Sequence, residues 1–368
     1  MEWIAGAVLG ALVGEWLLGK RLGNRAVAWG AVAGLLPGVF MVVPIFMDTA
    51  GWMWWHRGPG YSAVAAVAGG LLLARPLSRF WKREKITAVR AGCFISAVWL
   101  ARILLACLDT AGAAVWWPFA GGRVSFGIVE AGDPLLALPP AACLVWMMFY
   151  RTKKQRPKRL RAFVWGCGLL ACYAGFTAVM KLTAATGFAT DLEERGAGAD
   201  RRVVVPEAPG GLVWRAVVDR GDELWMGRRT IFQRWSAPVS WVVYPRGAGE
   251  DAEHAGEREV RRVREASDGY WIARAHNRGL WMADLRQGEM RETGNRDAME
   301  DLRMAVAWDF EAGAPRDRLI RAGEGRPGFA AATREVALRI TGREDDEKLT
   351  PRLAGVPGQF PEILRVVE

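Results

Sequence analysis

The chain has 368 residues, of which 51% are hydrophobic, and its formal net charge at neutral pH is +10. Residues 1–190 carry 20 Lys and Arg against 7 Asp and Glu, a net charge of +13, whereas residues 191–368 carry 29 against 32, a net charge of −3. Because the positive charge belongs to the apolar half and clusters in its short connectors, it indicates membrane topology and not a nucleic-acid-binding surface. All five cysteines lie in apolar runs, which excludes a disulfide framework and a CxxC metal site.

Six apolar stretches follow one another in the first half of the chain. They cover residues 3–19, 26–47, 60–74, 91–108, 134–150 and 162–184. A transmembrane helix needs roughly 20 predominantly apolar residues, so each stretch is near the required length. The sequence therefore predicts an α-helical transmembrane bundle of about six spans over residues 1–190.

The connectors between these stretches predict the orientation of the bundle. Connectors 20–25, 75–90 and 151–161 are basic, whereas 48–59 and 109–133 are nearly neutral or acidic. Basic loops stay in the cytoplasm, so both ends of the chain are expected on the other side of a bacterial cytoplasmic (inner) membrane. The expected partners are the lipid bilayer and anionic lipid headgroups near the basic loops. No nucleic acid is expected, because topology explains the basic run at 151–161.

Two glycine series predict close packing of the first two spans. Gly6, Gly10 and Gly14 recur every fourth residue in the first span, and Gly30, Gly34 and Gly38 do so in the second. This spacing places small residues on one helix face and lets two backbones approach closely. We expect the two spans to form an antiparallel hairpin.

Charged residues inside the apolar stretches are the first candidates for a site. Arg102 lies within the fourth stretch, where a charge costs at least about 2.5–3.5 kcal/mol and needs a partner or a water-filled cavity. Asp109 follows seven residues later, on the same helix face, and Asp48 should lie at the same side of the membrane. Arg102 could form a structural ion pair, snorkel to the interface, or bind a lipid phosphate together with His56 and Arg57. His56 and Arg57 could equally anchor the start of the third span.

Residues 191–368 have the pattern of a β-rich α+β soluble domain. Strand-like runs rich in β-branched and aromatic residues occur at 203–205, 212–219, 223–229, 239–244, 270–273, 280–285 and 304–310. Residues 219–222 predict a hairpin loop, and the charged stretch 251–266 predicts a helix. His254 and His276 stand isolated in charged surroundings, so we expect them to be surface residues.

Several segments match motifs of a known family. They are the opening VLGALVGEWLLGKRLGNRAVAWGAVAGLLPG, WHRGPGYS at 55–62, WWPFAGGRV…AGDPLL at 116–136, and the later LVWRAVVDRGDELWMG and YWIARAHNRGLWMADLRQGE. With these segments the chain resembles a bacterial family of membrane-bound, predicted metal-dependent hydrolases that includes a LexA-regulated inner-membrane member. The resemblance implies a metal held among the helices by Asp and His side chains.

The positions that the resemblance assigns to metal ligands carry other residues here. The two aspartates of the family's P-D-x-D motif fall on Gly38 and Phe40, and the second histidine of its HRG-x-[TS]-H-S motif falls on Tyr61. Its H-x₃-D pair falls on Arg102 and Ala106. Ala5 and Gly6 stand where the family has Thr followed by His or Gln. His56 is the one expected ligand that is retained. Since one imidazole cannot hold a catalytic divalent ion, we expect no metal cofactor.

The sequence therefore favours a catalytically inactive member of the hydrolase family with a binding or scaffolding role at the membrane. Two other functions stay open: an active metal-dependent hydrolase, using for example zinc, on a lipid or cell-envelope substrate, and a lipid-handling or transport-like bundle. In a hydrolase, His56, Arg57 and Glu15 would be the candidate catalytic residues. For Glu15, a packing or interfacial role in the first span is the other interpretation. The sequence specifies no substrate, protein partner or oligomeric state.

Overall fold

The computed structural model describes residues 2–39, 55–130, 133–197, 201–207, 209–233, 238–247, 258–276, 279–287, 305–309, 318–320 and 365–367. Among these, the residues up to Ala178 form one compact unit, and those from Val179 onwards form a second. The first unit is helical, and the second consists mainly of antiparallel sheets, as the sequence predicts. The predicted boundary near residue 190 between the membrane-embedded and the soluble part depends on where the bilayer ends, and it stays a prediction.

Six helices occupy the six apolar stretches. They are α1 (Glu2–Leu22), α2 (Asn24–Val39), α3 (Ala63–Phe80), α4 (Ala88–Cys107), α5 (Pro134–Met148) and α6 (Arg156–Glu194). Within the described part of the chain, α1, α3, α4 and α6 are long and apolar enough to cross a membrane. The described part of α2 has 16 residues, and α5 has 15. The prediction of a helical region with apolar, membrane-capable helices is thus confirmed, and the number of six spans stays a prediction.

Helices α1 and α2 form the antiparallel hairpin that the glycine series predicts. A Cβ atom placed on Gly10 would overlap the carbonyl oxygen of Gly30, and one on Gly14 would overlap that of Ala26. The backbones therefore touch along the small-residue faces. Gly23 alone joins the two helices and has a φ of 56°, a left-handed conformation that glycine adopts without strain.

Helices α3 and α4 pack against this hairpin around an aromatic core. Trp81, just after α3, is fully buried and meets Trp29 of α2 and Phe94 of α4 in edge-to-face contacts. Thr87 begins α4 because its hydroxyl accepts a hydrogen bond from the amide of Arg90. This core fixes α4, which carries Arg102, relative to α2.

The segment between α4 and α5 is held in place by short backbone pairings. Asp109 forms a parallel bridge with Val129, and Ala113 forms an antiparallel bridge with Val124. Helix α4 ends at Cys107, so Asp109 lies beyond its last turn. The expectation that Asp109 shares a helix face with Arg102 is therefore wrong, because the chain has left the helix before it reaches Asp109.

The second unit contains nine described strands and one helix. They are β1 (Arg201–Pro206), β2 (Val213–Asp219), β3 (Glu223–Thr230), β4 (Trp241–Pro245), α7 (Arg258–Ala266), β5 (Trp271–His276), β6 (Gly279–Asp284), β7 (Ala305–Asp309), β8 (Arg318–Ile320) and β9 (Arg365–Val367). The antiparallel orders are β1-β2-β3-β4-β9 and β5-β6-β7-β8. All seven predicted strands are present. The predicted hairpin loop joins β2 to β3, where the Asp219 carboxylate accepts a hydrogen bond from the amide of Gly221.

The last turns of α6 belong to the core of this second unit. Phe188 and Leu192 are buried against Trp214 of β2 and Trp241 of β4. Asp191, between them on the helix, accepts hydrogen bonds from the Trp241 indole at 2.7 Å and from the Val239 amide at 2.9 Å. Because these residues dock on the sheet, α6 continues ten residues past the predicted end of the sixth span at 184.

Candidate functional site

The segment 55–62, which carries the HRG motif, forms a compact turn that starts α3. The amide of Gly58 donates to the carbonyl of Trp55 at 2.8 Å, and residues Pro59–Tyr61 form one 3₁₀ turn. The hydroxyl of Ser62 accepts a hydrogen bond from the amide of Ala65, which caps the helix. The motif thus has a structural task at this helix end.

Arg57 lies at the centre of this turn in a left-handed conformation, with a φ of 54°. Its carbonyl accepts a hydrogen bond from the amide of Ala114 at 3.0 Å. The Trp99 indole on α4 donates to the carbonyl of Gly60 at 2.9 Å. The turn is therefore fixed to both the 109–115 segment and α4.

Arg57 forms a buried ion pair with Asp109. Its Nη1 atom lies 2.5 Å from Oδ2 of Asp109, and both side chains are at least nine-tenths buried. The other carboxylate oxygen of Asp109 accepts a hydrogen bond from the amide of Thr110. The sequence placed Asp109 beside Arg102, but the carboxylate lies against Arg57 because both residues belong to the loops at this end of the helices. Asp48, the other carboxylate considered for Arg102, lies outside the described residues.

Arg102 packs against an aromatic ring inside the bundle. Its guanidinium carbon lies 5.3 Å from the ring centroid of Tyr61, and the two residues are 5% and 4% exposed. A Cβ atom placed on Gly6 would lie 2.7 Å from Nε of Arg102. A guanidinium over a ring face is a favourable cation–π arrangement, and the missing side chain at Gly6 leaves room for it. The snorkelling interpretation of Arg102 does not fit this burial.

Several positions that the resemblance assigns to metal ligands are brought together, but they do not form a donor set. Tyr61, Arg102 and Gly6 converge, and they offer a phenol, a guanidinium and no side chain. Ala106 is buried one turn further along α4, and a Cβ atom placed on Gly38 would overlap the ring of Trp3. A guanidinium has no lone pair for a metal and keeps its positive charge, so these residues do not fit a divalent ion. Phe40 lies outside the described residues.

The remaining possible ligands do not supply a second site within the described residues. His56 is half-buried beside Arg57, at the start of the turn. No group of three or more His, Cys, Asp or Glu side chains in the described ranges is arranged as metal ligands would be. His254 lies outside these ranges, and His276 ends strand β5.

Glu15 forms a second buried ion pair, at the opposite end of the bundle. Its two carboxylate oxygens lie 2.7 and 2.6 Å from Nε and Nη2 of Arg159, in a bidentate pair. Nη1 of Arg159 also donates to the side chain of Asn24, the first residue of α2. This network joins α1, α2 and α6 and occupies both oxygens of Glu15, as expected of a packing residue.

Sequence reasoning did not identify Asp133 as a site residue. Its Oδ1 atom accepts a hydrogen bond from the amide of Leu135 and caps α5, and its Oδ2 atom accepts one from the hydroxyl of Tyr173 on α6. The Asp-Pro pair at 133–134 carried a usable signal, because Asp at the N-cap followed by Pro at the first helical position is a common helix start. The partner Tyr173 had no such signal.

The comparisons with known proteins concern the helical half of the chain. The sequence model of the YdjM inner membrane protein family matches residues 1–184. This match includes all of α1 to α5 and most of α6. No curated protein and no solved structure matches the chain.

Proposed function

The chain belongs to the YdjM inner membrane protein family and is a membrane protein of the inner membrane, and on this premise we propose that it acts by binding or scaffolding and not by metal-dependent hydrolysis. The observation that carries the proposal is the position of Arg102. It places a permanent positive charge and an aromatic partner where the resemblance would place metal ligands. A second cation at this point would be repelled.

The two buried ion pairs support the same proposal. Arg57 is engaged with Asp109, and Glu15 with Arg159, so both charged side chains among the candidate catalytic residues take part in contacts that stabilise the bundle. A general base or nucleophile has to reach a substrate atom. A carboxylate with both oxygens bound to a guanidinium, as in Glu15, is poorly placed for that work.

The proposed role requires a defined orientation of the chain in the membrane, and the basic connectors predict that orientation. With 20–25, 75–90 and 151–161 in the cytoplasm, the Arg57 turn and the C-terminal sheets lie on the extracytoplasmic side. The helical bundle then anchors the sheet domain at the outer surface of the inner membrane. The exposed basic connectors would contact anionic lipid headgroups on the cytoplasmic side, whereas Arg57 and Arg102 are buried and engaged with Asp109 and Tyr61.

Elemental analysis of the full chain purified in detergent tests the proposal. The wild type is compared with a variant carrying Gly38→Asp, Phe40→Asp, Tyr61→His, Arg102→His and Ala106→Asp, which restores the residues of the family motifs. We expect no stoichiometric zinc, manganese or iron in the wild type and a gain of metal in the variant, provided that its elution volume and melting temperature show a folded protein. One tightly bound metal per wild-type chain would overturn the proposal.

A single substitution tests the structural role of Arg102 separately. We expect Arg102→Ala to reduce membrane yield and melting temperature, because Tyr61 and Gly6 would then face an empty space. Hydrolysis of lipid and cell-envelope substrates should not depend on this residue. If Arg102→Ala abolished a measurable hydrolase activity and left the melting temperature unchanged, Arg102 would have a catalytic role, in contradiction to the proposal.

A further inference from the structure

The segment between α4 and α5 exposes large aromatic side chains. We call residues 109–130 the α4–α5 connector. Within it, Phe119 is 85% exposed and Trp116 is 60% exposed, and Phe126 is exposed as well. Arg123 is the one charged residue between positions 116 and 126. Hydrophobic residues exposed singly are common, but aromatic rings grouped in one short, weakly charged segment indicate a contact surface.

These rings stand on a backbone that is hydrogen-bonded within the protein. Ala113 and Val124 exchange two backbone hydrogen bonds, of 2.9 and 3.1 Å, at the base of the exposed segment. The amide of Phe119 donates to the carbonyl of Trp116 at 2.8 Å, which forms the turn that carries both rings. Irregular backbone is tolerated at membrane depth only where its polar groups find such partners. The connector meets this condition at its base and at its aromatic turn.

Helix α5 is too short to place the end of the connector outside the membrane. It has 15 residues and is therefore about 22 Å long, whereas the hydrocarbon core of a bilayer is about 30 Å thick. Its last residue, Met148, precedes the basic connector 151–161, which lies at the membrane surface because of its charge. The first residue, Pro134, then lies inside the hydrocarbon core, about 8 Å short of the opposite boundary.

The contact between Asp133 and α6 indicates a similar depth. The hydroxyl of Tyr173 donates a hydrogen bond to the carboxylate of Asp133, which is buried. Tyr173 follows Arg161, the last basic residue of the 151–161 connector, by twelve residues, or about 18 Å along α6. This distance is shorter than the hydrocarbon core. Two different helices therefore place the residues just after the connector below the membrane surface.

The exposed apolar surface of the flanking helices extends up to the connector. Leu104 in the last turn of α4 and Leu135 and Leu138 in the first turns of α5 are all exposed. In a membrane protein, exposed leucines on a membrane-capable helix face lipid. At the start of the connector, the charge of Asp109 is compensated by Arg57. The aromatic turn thus lies between two stretches of lipid-facing surface.

We propose that the α4–α5 connector is embedded in the membrane leaflet opposite the basic connectors, where Trp116 and Phe119 contact lipid at the boundary between headgroups and acyl chains. Aromatic rings prefer this level of the bilayer. A soluble protein or a second copy of the chain could also cover exposed rings, but the depth indicated by α5 and α6 favours lipid. The inference does not depend on whether the bundle binds metal, so it and the proposed function can fail separately.

Photo-crosslinking of the full chain in nanodiscs of phosphatidylethanolamine and phosphatidylglycerol provides the first test. The photoreactive residue p-benzoylphenylalanine replaces Phe119 in one protein. It replaces the exposed Leu72 of α3 in a second, as the lipid-facing control, and the exposed Asp222 of the β2–β3 loop in a third, as the aqueous control. We expect the lipid adduct at position 119 within about two-fold of position 72 and at least about ten-fold above position 222. Adducts between two chains at position 119, or a lipid yield as low as at position 222, would overturn the proposal.

The second test compares two substitutions at the same position. Phe119→Leu keeps an apolar side chain, whereas Phe119→Asp introduces a charge, and the ring is too exposed for either change to disturb the packing of the protein. In lipid the charge is costly, so we expect Phe119→Asp to lower the membrane yield and the melting temperature in nanodiscs and Phe119→Leu to leave both unchanged. If the two variants behave alike, the ring lies in water and the proposal is wrong.

Discussion

The guanidinium carbon of Arg102 lies 5.3 Å from the centroid of the Tyr61 ring, and both groups are buried in the helical bundle. The two residues come from different segments, one from the middle of α4 and the other from the turn before α3. Their contact places the positive charge on a ring face and not in lipid. This relationship explains how the bundle accommodates an arginine within a candidate membrane span.

The first prediction concerns this contact. Tyr61→Phe keeps a ring face for Arg102, whereas Tyr61→Leu removes it, so we expect the leucine variant to be less stable than the phenylalanine variant by about 1–2 kcal/mol. Thermal unfolding in detergent measures the difference. In an Arg102→Met background the difference should shrink, and an unchanged difference would show that the ring acts independently of the guanidinium.

The second prediction compares a buried ion pair with an exposed one. Asp109→Asn leaves the buried Arg57 without its carboxylate, and we expect a loss of about 3–5 kcal/mol in the free energy of unfolding. Glu84→Gln is the matched control, because the pair of Glu84 with Arg25 has a distance of 3.5 Å and an arginine that is 78% exposed. Its loss should be below about 1 kcal/mol. Equal losses in denaturant unfolding would show that the buried pair contributes no more to stability than the exposed one.

The third prediction tests the contact between α1 and α2. Gly10→Ala adds a methyl group that would overlap the carbonyl oxygen of Gly30. We therefore expect the free energy of unfolding to fall by about 1–3 kcal/mol, or the hairpin to fail to form. Gly168→Ala on α6 is the control, because a Cβ atom there meets no atom within 4 Å. It should be neutral or stabilising by up to about 1 kcal/mol. Melting temperatures of both variants in the same detergent measure the two effects on stability.

The fourth prediction concerns alkaline pH and the sheet domain. Burial raises the pKa of Tyr270 above its ordinary value of 10.0, with Arg201 opposing the shift and Asp268 adding to it. Above pH 10 the unfolded chain releases this proton while the folded chain retains it, so stability is complete below pH 10 and falls as the pH rises further. Tyr270→Phe should flatten this decline in denaturant unfolding between pH 9 and 11. An identical decline in both proteins would show that other groups cause it.

Local patterns in the sequence predicted much of the fold. The glycines at positions 10 and 30 predicted the α1–α2 hairpin because both helices keep a four-residue period, which is a property of the helix itself. Asp219 and Gly221 predicted the β2–β3 loop for a similar reason, since a tight turn depends on few residues. These features need no knowledge of distant contacts.

The charged contacts could not be predicted in the same way. The pairing of Asp109 with Arg57 depends on the end of α4 at Cys107 and on the left-handed conformation of Arg57, and neither is visible from spacing. The partner of Glu15 is Arg159, 144 residues later, and many arginines in the basic connectors were equally plausible from sequence.

Because the single residue Gly23 joins α1 to α2, the two helices have little freedom to slide along each other. The amide of Gly23 bonds to the carbonyl of Gly19 and its carbonyl to the amide of Ala26, so the junction contains no spare length. Displacing one helix past the other by a turn would require about 5.4 Å of extra chain, and one residue cannot provide it. Sliding of α1 past α2 by one turn would therefore require these hydrogen bonds to break and a helix end to unwind at Gly23.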